Sequence, residues 1–290
     1  MQNNVLLGIG LMVVTTFMFS TMDGVSRYLA ENNNVFTLVT MRYWFIAIVM
    51  AITCLFVKDS FQKILYTKQP FTQFSRGLIL SLNNCLVVYT FTLLGLVETH
   101  AIIACYPLIV AGLSVPFLGE KFGWRRWTAI FVGFVGVIII LRPTTNVISE
   151  GAIYALVGAI MFAVYLILTR YVSRLDKAIT SFFWAGIGGS VTMTIISFFI
   201  WEDILKEDLL WLLIMCLLSA SSHFMMVKTL QVAEASVIQP FSYLQLVFGS
   251  IIGVTIFSES IDLMIVVGVT IVIGAGLFTA WREYIKKHPI

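Results

Sequence analysis

The sequence predicts an all-α membrane protein whose ten transmembrane helices form two inverted five-helix repeats. Three observations predict this fold: about ten apolar stretches of nearly 20 residues, a composition of 59% hydrophobic and 11% charged residues, and a pattern that recurs in the second half of the chain. A helix of ~20 residues crosses the ~30 Å hydrocarbon core of a bilayer. Strands of a membrane barrel would instead alternate in polarity over ~10 residues, which these stretches do not do.

The apolar stretches give the expected helix positions in chain order. We expect helices at 5–29, 35–57, 74–95, 98–118, 125–141, 150–171, 178–200, 208–230, 234–256 and 262–282. Very few residues separate the third helix from the fourth, or the eighth from the ninth, so each of these pairs is expected to form a tight hairpin.

Glycines in the fifth and ninth helices permit close helix contacts. They are Gly133 and Gly136 in the fifth helix and Gly249 and Gly253 in the ninth. Small residues of this kind let two helix backbones approach each other in a membrane. The contacts serve either packing within one chain or a dimer interface, so the sequence is compatible with a monomer or a homodimer.

The positions of lysine and arginine indicate the orientation in the membrane. Cytoplasmic loops of membrane proteins carry an excess of these residues. With the N-terminus inside, ten crossings leave only Arg27, Arg142 and Lys206 outside and Arg42 within a helix. The other basic residues fall on the inner side: Lys58, Lys63, Lys68, Arg76, Lys121, Arg125, Arg126, Arg170, Arg174, Lys177, Lys228, Arg282, Lys286 and Lys287. We therefore expect a multi-pass protein of the cytoplasmic (inner) membrane with both its N-terminus and its C-terminus in the cytoplasm.

The chain also contains an internal duplication. An offset of 143 residues aligns Gly8 with Gly151 and Arg27 with Arg170. The tyrosine that follows each of these arginines is aligned as well. This correspondence divides the chain into two repeats of similar length.

The first repeat covers residues 1–143 and the second covers residues 144–290. Each repeat holds five predicted helices. Because five is an odd number, the second repeat must enter the membrane from the opposite side. Inverted repeats of this kind are typical of secondary transporters.

Two segments at corresponding positions of the repeats resemble the drug/metabolite transporter superfamily. Residues 101–107, Ala-Ile-Ile-Ala-Cys-Tyr-Pro, lead to Leu-Gly-Glu at 118–120, and residues 235–243, Ala-Ser-Val-Ile-Gln-Pro-Phe-Ser-Tyr, lead to Phe-Ser-Glu at 257–259. Within that superfamily the chain is similar to EamA-domain proteins over nearly its whole length. The Pro-Phe-x-Tyr pattern resembles the bacterial branch that includes S-adenosylmethionine and riboflavin uptake carriers. The resemblance implies two five-helix halves around a cargo cavity lined by the first, third, fourth, sixth, eighth and ninth helices.

Polar and aromatic residues inside the predicted helices are the candidate substrate-binding residues. An ionised side chain in hydrocarbon costs ~2.5–3.5 kcal/mol on insertion scales, so it usually faces a cavity or a partner. Aromatic rings in a cavity offer stacking and cation–π contacts to a planar or cationic cargo. The candidates in chain order are Asp23, Arg42, Asn83, Asn84, Tyr89, Tyr106, Tyr165, Trp184, His223, Gln239, Tyr243 and Gln245.

The charged and amide candidates each have a structural alternative. Asp23 lies one turn before Arg27 and either pairs with it at i,i+4 or forms a cargo or proton site. Arg42 either extends to the outer surface or pairs with Asp23 or an anionic cargo group. Asn83 and Asn84 either join helices or line a cavity.

Other markers allow two interpretations as well. His223 is either held by hydrogen bonds between helices or titrates in the transport pathway. Pro107 and Pro240 break the fourth and ninth helices, either as packing kinks or as backbone openings at the cargo site. Glu120 and Glu259, at helix ends on opposite membrane faces, are interpreted as residues that organise loops.

Absent motifs narrow the function. The sequence has no G-x-x-x-x-G-K-[ST] and no H-E-x-x-H, so neither ATP nor a metal or other cofactor is expected. Its basic residues do not interleave with aromatic residues as in a nucleic-acid groove, so nucleic acid is not expected as a partner. Two classes remain.

The first class is a secondary transporter that moves a small organic metabolite by alternating access. The cargo would be amino-acid-like, nucleoside-like or vitamin-like, with protons or a counter-substrate as the coupled species and membrane lipid around the protein. The second class is an intramembrane enzyme or lipid-handling protein that uses Asp23 and His223. The duplication favours the transporter, because two related halves that rock against each other explain it.

Overall fold

The computed structural model describes residues 5–56, 65–119, 123–141, 149–172, 175–176, 178–232 and 239–287. The regular secondary structure of these residues is helical. Their α-helices are α1 Val5–Ala30, α2 Val35–Phe56, α3 Pro70–Ile103, α4 Tyr106–Leu118, α5 Trp124–Leu141, α6 Glu150–Val172, α7 Ala178–Ile200, α8 Leu209–Val232, α9 Leu244–Phe257 and α10 Leu263–Lys287. Short 3₁₀-helices at Lys206–Asp208 and Gln239–Tyr243 precede α8 and α9.

By length and composition, six helices of the described chain can cross a membrane. They lie at Leu6–Ala30, Val35–Ile52, Pro70–Ile103, Glu150–Val172, Ile179–Ile200 and Lys206–Met226. Four shorter apolar helices lie at Tyr106–Leu118, Trp127–Leu141, Phe241–Phe257 and Leu263–Phe278. This apolar helical architecture is that of a multi-pass membrane protein, as the sequence predicts.

The long helix α3 contains the hairpin expected between the third and fourth predicted helices. Gly95 has φ 80° and ψ −178°, a conformation outside the helical region. The ring of Phe91 stacks on the ring of His100 at 5.4 Å between centroids, although a straight helix would separate residues nine apart by ~13 Å. The chain therefore reverses at Gly95, between a first arm at 70–94 and a second arm at 96–103. The other expected hairpin, between the eighth and ninth predicted helices, falls on residues that include 233–238, which lie outside the described residues.

Helices from the two halves of the chain pack against each other. Helix α1 packs on α8 and α9, α3 packs on α6 and α7, α2 packs on α7, and α5 packs on α10. The glycines of the fifth helix serve packing within the chain, since a Cβ on Gly136 would lie 2.8 Å from the carbonyl oxygen of Gly268 in α10. Gly249 and Gly253 likewise face His100 and Glu259 of the same chain.

Side-chain contacts define two ends of the helix bundle. At one end, Asn33 donates to Asp208 at 2.6 Å, which joins the α1–α2 connection to the segment before α8. Glu259, after α9, also lies at this end, which we call the Glu259 end. At the other end, Gln73 donates to Asp176 at 2.8 Å, which joins the start of α3 to the α6–α7 connection. We call it the Asp176 end.

Candidate functional site

Asp23 lies at the centre of a buried polar cluster that joins three helices. Asp23 is 8% exposed to solvent. Its Oδ2 lies 3.1 Å from Nε2 of His100, on the second arm of α3, and accepts a hydrogen bond from Nε2 of Gln245 in α9 at 3.0 Å. Ser20, one turn earlier in α1, donates to the carbonyl oxygen of Gln245 at 2.8 Å. The cluster therefore combines residues of the first half with one from the second half.

The local pairing of Asp23 with Arg27 is wrong. Arg27 instead forms an ion pair with Glu259, and its guanidinium lies 4.1 Å from the ring centroid of Phe257. Residues four apart lie on the same face of a helix, but neighbouring segments offer each side chain a different partner, His100 for Asp23 and Glu259 for Arg27. The acid is thus separated from the cation that stands closest to it in sequence.

Glu259 closes the Glu259 end by binding the start of the second arm of α3. Its two carboxylate oxygens accept the backbone N–H groups of Leu96 and Val97, each at 2.8 Å. The first N–H groups of a helix have no partner within that helix, and a negative charge there is favourable. Glu259 therefore does more than organise its own loop: it joins α1, α3 and the α9–α10 connection. Its counterpart Glu120 lies outside the described residues.

Arg42 is buried in α2, so the alternative in which it extends to the outer surface is wrong. The residue is 3% exposed, and its Nε atom has no hydrogen-bond partner among the described residues. Its charge acts on Cys85 in α3 and on Cys216 and His223 in α8. Arg42 therefore faces the interior between the helices.

The two adjacent asparagines of α3 face different neighbours. Asn84 donates to the hydroxyl of Tyr43 at 2.9 Å and joins α3 to α2. Asn83 is 4% exposed, and its Oδ1 has no hydrogen-bond partner among the described residues. That atom lies beside Gly158 of α6. Asn84 thus joins helices, whereas Asn83 retains an unused acceptor in the interior.

His223 is half-buried and lies among aromatic rings. Its ring contacts Phe19 of α1 at 5.1 Å and Phe182 of α7 at 6.4 Å between centroids. Ser219 and Ser222, on the same side of α8, are fully buried. Since Phe19 stands one turn before Asp23, α1 connects the His223 region to the Asp23 cluster.

The Asp176 end carries a second polar network. Gln73 donates to Asp176 at 2.8 Å and to Ser181 at 3.0 Å, and Thr67 also donates to Asp176. Arg76 donates to the side-chain oxygen of Gln73 and also to the hydroxyl of Thr169, at 3.0 Å in the second case. Burial raises the pKa of Asp176, but the hydrogen bonds lower it further, so the pKa of this carboxyl lies below its usual value. The carboxylate therefore stays charged and joins α3 to the second half.

Two predicted aromatic site residues lie towards this network. The guanidinium of Arg76 stands 5.3 Å from the ring centroid of Tyr165. Trp184 donates its indole N–H to the carbonyl oxygen of Leu65 at 3.0 Å. Tyr165 and Trp184 are thus separated from the Asp23 cluster, at the opposite half of the bundle.

Tyr106 and Tyr243 flank the helix breaks but face different surroundings. The ring of Tyr106 packs edge-on against Phe162 of α6 at 4.9 Å, and its hydroxyl is hydrogen-bonded to Ser242. The hydroxyl of Tyr243 packs where Gly276 of α10 leaves room for it, and has no hydrogen-bond partner among the described residues. Tyr106 therefore spans the two halves, whereas Tyr243 packs towards α10.

Of the two remaining candidates, Tyr89 has a less interior position. Tyr89 is 44% exposed, and its ring lies 5.9 Å from that of Tyr154. Gln239 begins the 3₁₀-helix that precedes α9, and the position of its side chain is outside the described part of the structure.

An apolar groove lies away from these polar residues. It has a volume of about 450 Å³ and runs between α4, α5 and α6, lined by side chains such as Ile109, Phe134 and Ile160. Its lining is apolar throughout. Such a surface suits a lipid acyl chain better than a polar metabolite, which needs a few placed polar groups. Within the described residues, no cluster of His, Cys, Asp and Glu could hold a metal ion.

Sequence reasoning missed His100 as a site residue. It stands at the start of the fourth predicted helix, 98–118, where a side chain is expected near the membrane surface. The structure shows a 7% exposed side chain that stacks on Phe91, bonds to the carbonyl oxygen of Leu96 and contacts Asp23. The local signal for His100 is that an ionisable residue lies in the fourth predicted helix, which carries one of the two family segments. That signal does not identify the partner of His100.

The model of the EamA-like transporter family matches residues 6–142 and residues 149–281. The chain belongs to the EamA-like transporter family. This match confirms the resemblance to the drug/metabolite transporter superfamily. The protein is therefore a multi-pass membrane transporter.

Curated relatives of this EamA-like protein are transporters and not enzymes. An S-adenosylmethionine uptake transporter of Rickettsia felis is 28% identical over 96% of this chain and 94% of its own length. A riboflavin transporter of Brucella anthropi is 24% identical over 66% of this chain and 69% of its own. These relatives decide against the enzyme class.

A solved structure also shares the fold of this EamA-like transporter. It superposes with a TM-score of 0.65, covers 100% of both chains and is 11% identical. At that identity the likeness concerns the fold alone.

Proposed function

We propose that this EamA-like transporter is a secondary carrier that imports S-adenosylmethionine, or a closely similar metabolite, across the cytoplasmic membrane by alternating access. The observation that carries the proposal is the similarity to S-adenosylmethionine uptake transporters, which extends over 96% of the chain. That cargo joins an amino acid to a nucleoside, so it combines two of the cargo classes that the sequence indicates. Riboflavin is the second candidate, because riboflavin transporters are also among the relatives.

The packing of the helices supports two inverted repeats. The family model matches each half of the chain once. A twofold relation that exchanges α1 with α6 and α3 with α8 also exchanges the α1–α8 contact with the α3–α6 contact, and both are present. It likewise exchanges the α1–α9 contact with the α4–α6 contact, and both of these are present. Repeats related in this way can rock about a shared cargo site.

Networks at both ends provide the contacts that alternating access must break. At the Glu259 end, Arg27, Glu259 and the start of the second arm of α3 are joined. At the Asp176 end, Gln73, Asp176 and Ser181 are joined. Each network connects the first repeat to the second. Opening the cargo site to one side of the membrane requires release of the network on that side.

We place the cargo between the networks, in the interior region bounded by Asp23, Arg42 and Asn83. All three residues are buried, and each comes from a different helix of the first repeat. Ligand sites in transporters lie near mid-membrane at the repeat interface. A site that is mostly apolar with a few placed polar groups fits a small metabolite. Protons or a counter-substrate are the coupled species that we consider, since Asp23 places a carboxyl group inside a membrane helix and such groups mark ion pathways.

A ligand screen on the purified protein tests the cargo. A ligand at 100 times its Kd stabilises the native state by ~2.7 kcal/mol, which raises the midpoint of thermal unfolding. We expect S-adenosylmethionine to raise this midpoint in a saturable manner, and free amino acids, methylated amines, nucleosides and other vitamins to raise it less. A shift with riboflavin and none with S-adenosylmethionine would reassign the cargo.

Alanine at Tyr106 is expected to weaken cargo binding. Tyr106 lies between the two repeats, beside Phe162 and Ser242, where its ring can stack on a cargo and its hydroxyl can bond to it. If alanine removes both interactions, we expect a loss of ~1–3 kcal/mol in binding free energy. Calorimetry in detergent measures the affinity. Trp281→Ala is the matched control, because Trp281 is 55% exposed and should not affect binding. Equal affinities of Tyr106→Ala and the native protein would move the cargo away from the α4 break.

We further propose that both termini are cytoplasmic. The support is the excess of lysine and arginine in the loops that this orientation places inside. Single cysteines at Lys68 and Asn146, in a chain whose four native cysteines are replaced, report the two sides. An impermeant thiol reagent added to intact cells should label Asn146→Cys and spare Lys68→Cys. The opposite labelling pattern would reverse the orientation.

A further inference from the structure

Arg42 is a buried cation without a partner in the described chain. It is 3% exposed, its Nε has no hydrogen-bond partner, and no carboxylate of the described residues forms an ion pair with it. A guanidinium keeps its charge inside a protein and presents its donors in a planar fork. Burying such a charge without a partner is unfavourable, so its retention in a membrane helix points to a ligand.

Further unused polar atoms lie on the helices that Arg42 faces. The hydroxyl of Ser219 in α8 and Oδ1 of Asn83 in α3 are buried and have no hydrogen-bond partner among the described residues. Ser219 stands between Cys216 and His223, the two residues of α8 on which the charge of Arg42 acts. Since buried polar groups in native proteins are nearly always satisfied, several unused ones on the helices around Arg42 indicate a polar ligand.

The depth of Arg42 matches that of Asp23. Asp23 lies seven residues before the end of α1 at Ala30, and Arg42 lies seven residues after the start of α2 at Val35. At a rise of ~1.5 Å per residue, both lie ~10 Å from the Glu259 end. These opposite charges stand on consecutive antiparallel helices but do not pair with each other, because both described bonds of Asp23 are to His100 and Gln245.

We propose that Arg42 binds the carboxylate of the cargo, and that the cargo carries a free amino-acid head group whose ammonium lies towards Asp23. A planar fork of N–H donors matches the two oxygens of a carboxylate. This inference rests on the proposed transport function and narrows its cargo class. S-adenosylmethionine has an amino-acid head group, whereas riboflavin has neither a carboxylate nor an ammonium group.

Paired ligands test the inference on the full-length protein. Calorimetry compares S-adenosylmethionine with its decarboxylated analogue, which lacks only the carboxylate. We expect the native protein to bind the complete molecule at least tenfold more tightly. In Arg42→Gln the two ligands should bind equally, at the level of the analogue. Lys228→Gln is the control, because it removes an exposed cation of α8 and should keep the native preference.

The stability of the ligand-free protein separates a binding role from a structural one. An Arg42 that held the fold together would lower the unfolding midpoint when replaced. An unpaired ligand-binding cation should leave the midpoint of Arg42→Gln unchanged or higher, because a buried charge is removed. A fall of that midpoint to the extent that Asn84→Ala, which breaks the bond to Tyr43, produces would contradict the inference.

Failure of the proposed cargo gives a different result from failure of this inference. If the native protein binds neither adenosyl compound, the cargo assignment is wrong, and a panel of L-amino acids and their decarboxylated amines then tests Arg42 by thermal shift. A stabilisation that needs both the carboxylate and Arg42 supports the inference. It is overturned if no carboxylate ligand stabilises the native protein, if the decarboxylated analogues bind as well as the complete ligands, or if Arg42→Gln retains the preference.

Discussion

Replacing Asp23 with asparagine is expected to lower the initial rate of cargo uptake at least tenfold, which corresponds to about 1.4 kcal/mol. Asparagine keeps the size of the side chain and its ability to accept a hydrogen bond, but it removes the charge that faces His100 and Gln245. Uptake into proteoliposomes over a series of pH values measures the effect. The folded fraction, followed by gel filtration in detergent, should stay close to that of the native protein.

Asp203→Asn is the matched control for this charge removal. Asp203 follows α7, and its carboxylate accepts a hydrogen bond from the indole of its neighbour Trp201 in an exposed setting. Its replacement should leave uptake unchanged. If Asp23→Asn transports normally at every pH, then the Asp23 cluster only joins α1, α3 and α9 and takes no part in transport.

Replacing Gly95 with alanine is expected to destabilise the folded protein by about 3 kcal/mol, since backbone strain alone costs ~1–3 kcal/mol. Gly95 has φ 80° and ψ −178°, a region that essentially only glycine adopts. A Cβ there would also lie 2.6 Å from Oε1 of Glu259. The carboxylate would have to leave the N–H groups of Leu96 and Val97. Thermal unfolding in detergent measures the loss.

Gly112→Ala provides the comparison for the Gly95 substitution. A Cβ on Gly112, within α4, meets no atom within 4 Å. Alanine in a helix interior is favoured over glycine by roughly 0.5–1 kcal/mol, so this variant should be as stable as the native protein or slightly more stable. Equal stability of Gly95→Ala and Gly112→Ala would show that the reversal at residue 95 does not depend on a left-handed conformation.

The sequence is sufficient to predict where most of the helices lie and the burial of the central acid, but α9 begins at Leu244 and not at residue 234, because Gln239–Tyr243 form a 3₁₀-helix. Apolar stretches of nearly 20 residues locate helices because the hydrocarbon core sets their length. The tight connection between the third and fourth helices followed from the few residues between them. Asp23 is a site candidate because a carboxylate in hydrocarbon is costly and therefore usually faces a cavity or a partner.

The partners of the polar residues could not be predicted from spacing. Arg27 stands one turn from Asp23, yet it pairs with Glu259, more than 200 residues away in the chain. The sequence does not reveal that the chain re-enters the helical bundle directly after Gly95, so it gives no reason to place His100 in the interior. Local spacing limits which residues share a helix face, but helix–helix packing decides which of them meet.

The sequence also does not predict the neighbours against which an aromatic side chain packs. Tyr106 and Tyr243 each flank the helix break of one repeat. The structure directs Tyr106 to Phe162, across the repeats, and Tyr243 to the space beside Gly276. The difference arises from which helix offers room next to each ring, and a single sequence carries no direct signal for that.

Counterflow in proteoliposomes tests the central claim most directly, because it requires one site that both sides of the membrane reach in turn. Vesicles containing the native protein are loaded with unlabelled S-adenosylmethionine and diluted into a trace of labelled S-adenosylmethionine. The account predicts a transient accumulation of unchanged label above its outside concentration, with a much smaller accumulation in vesicles that contain Asp23→Asn or Arg42→Gln. Accumulation no greater than in protein-free vesicles, or equal accumulation by all three proteins, would contradict it.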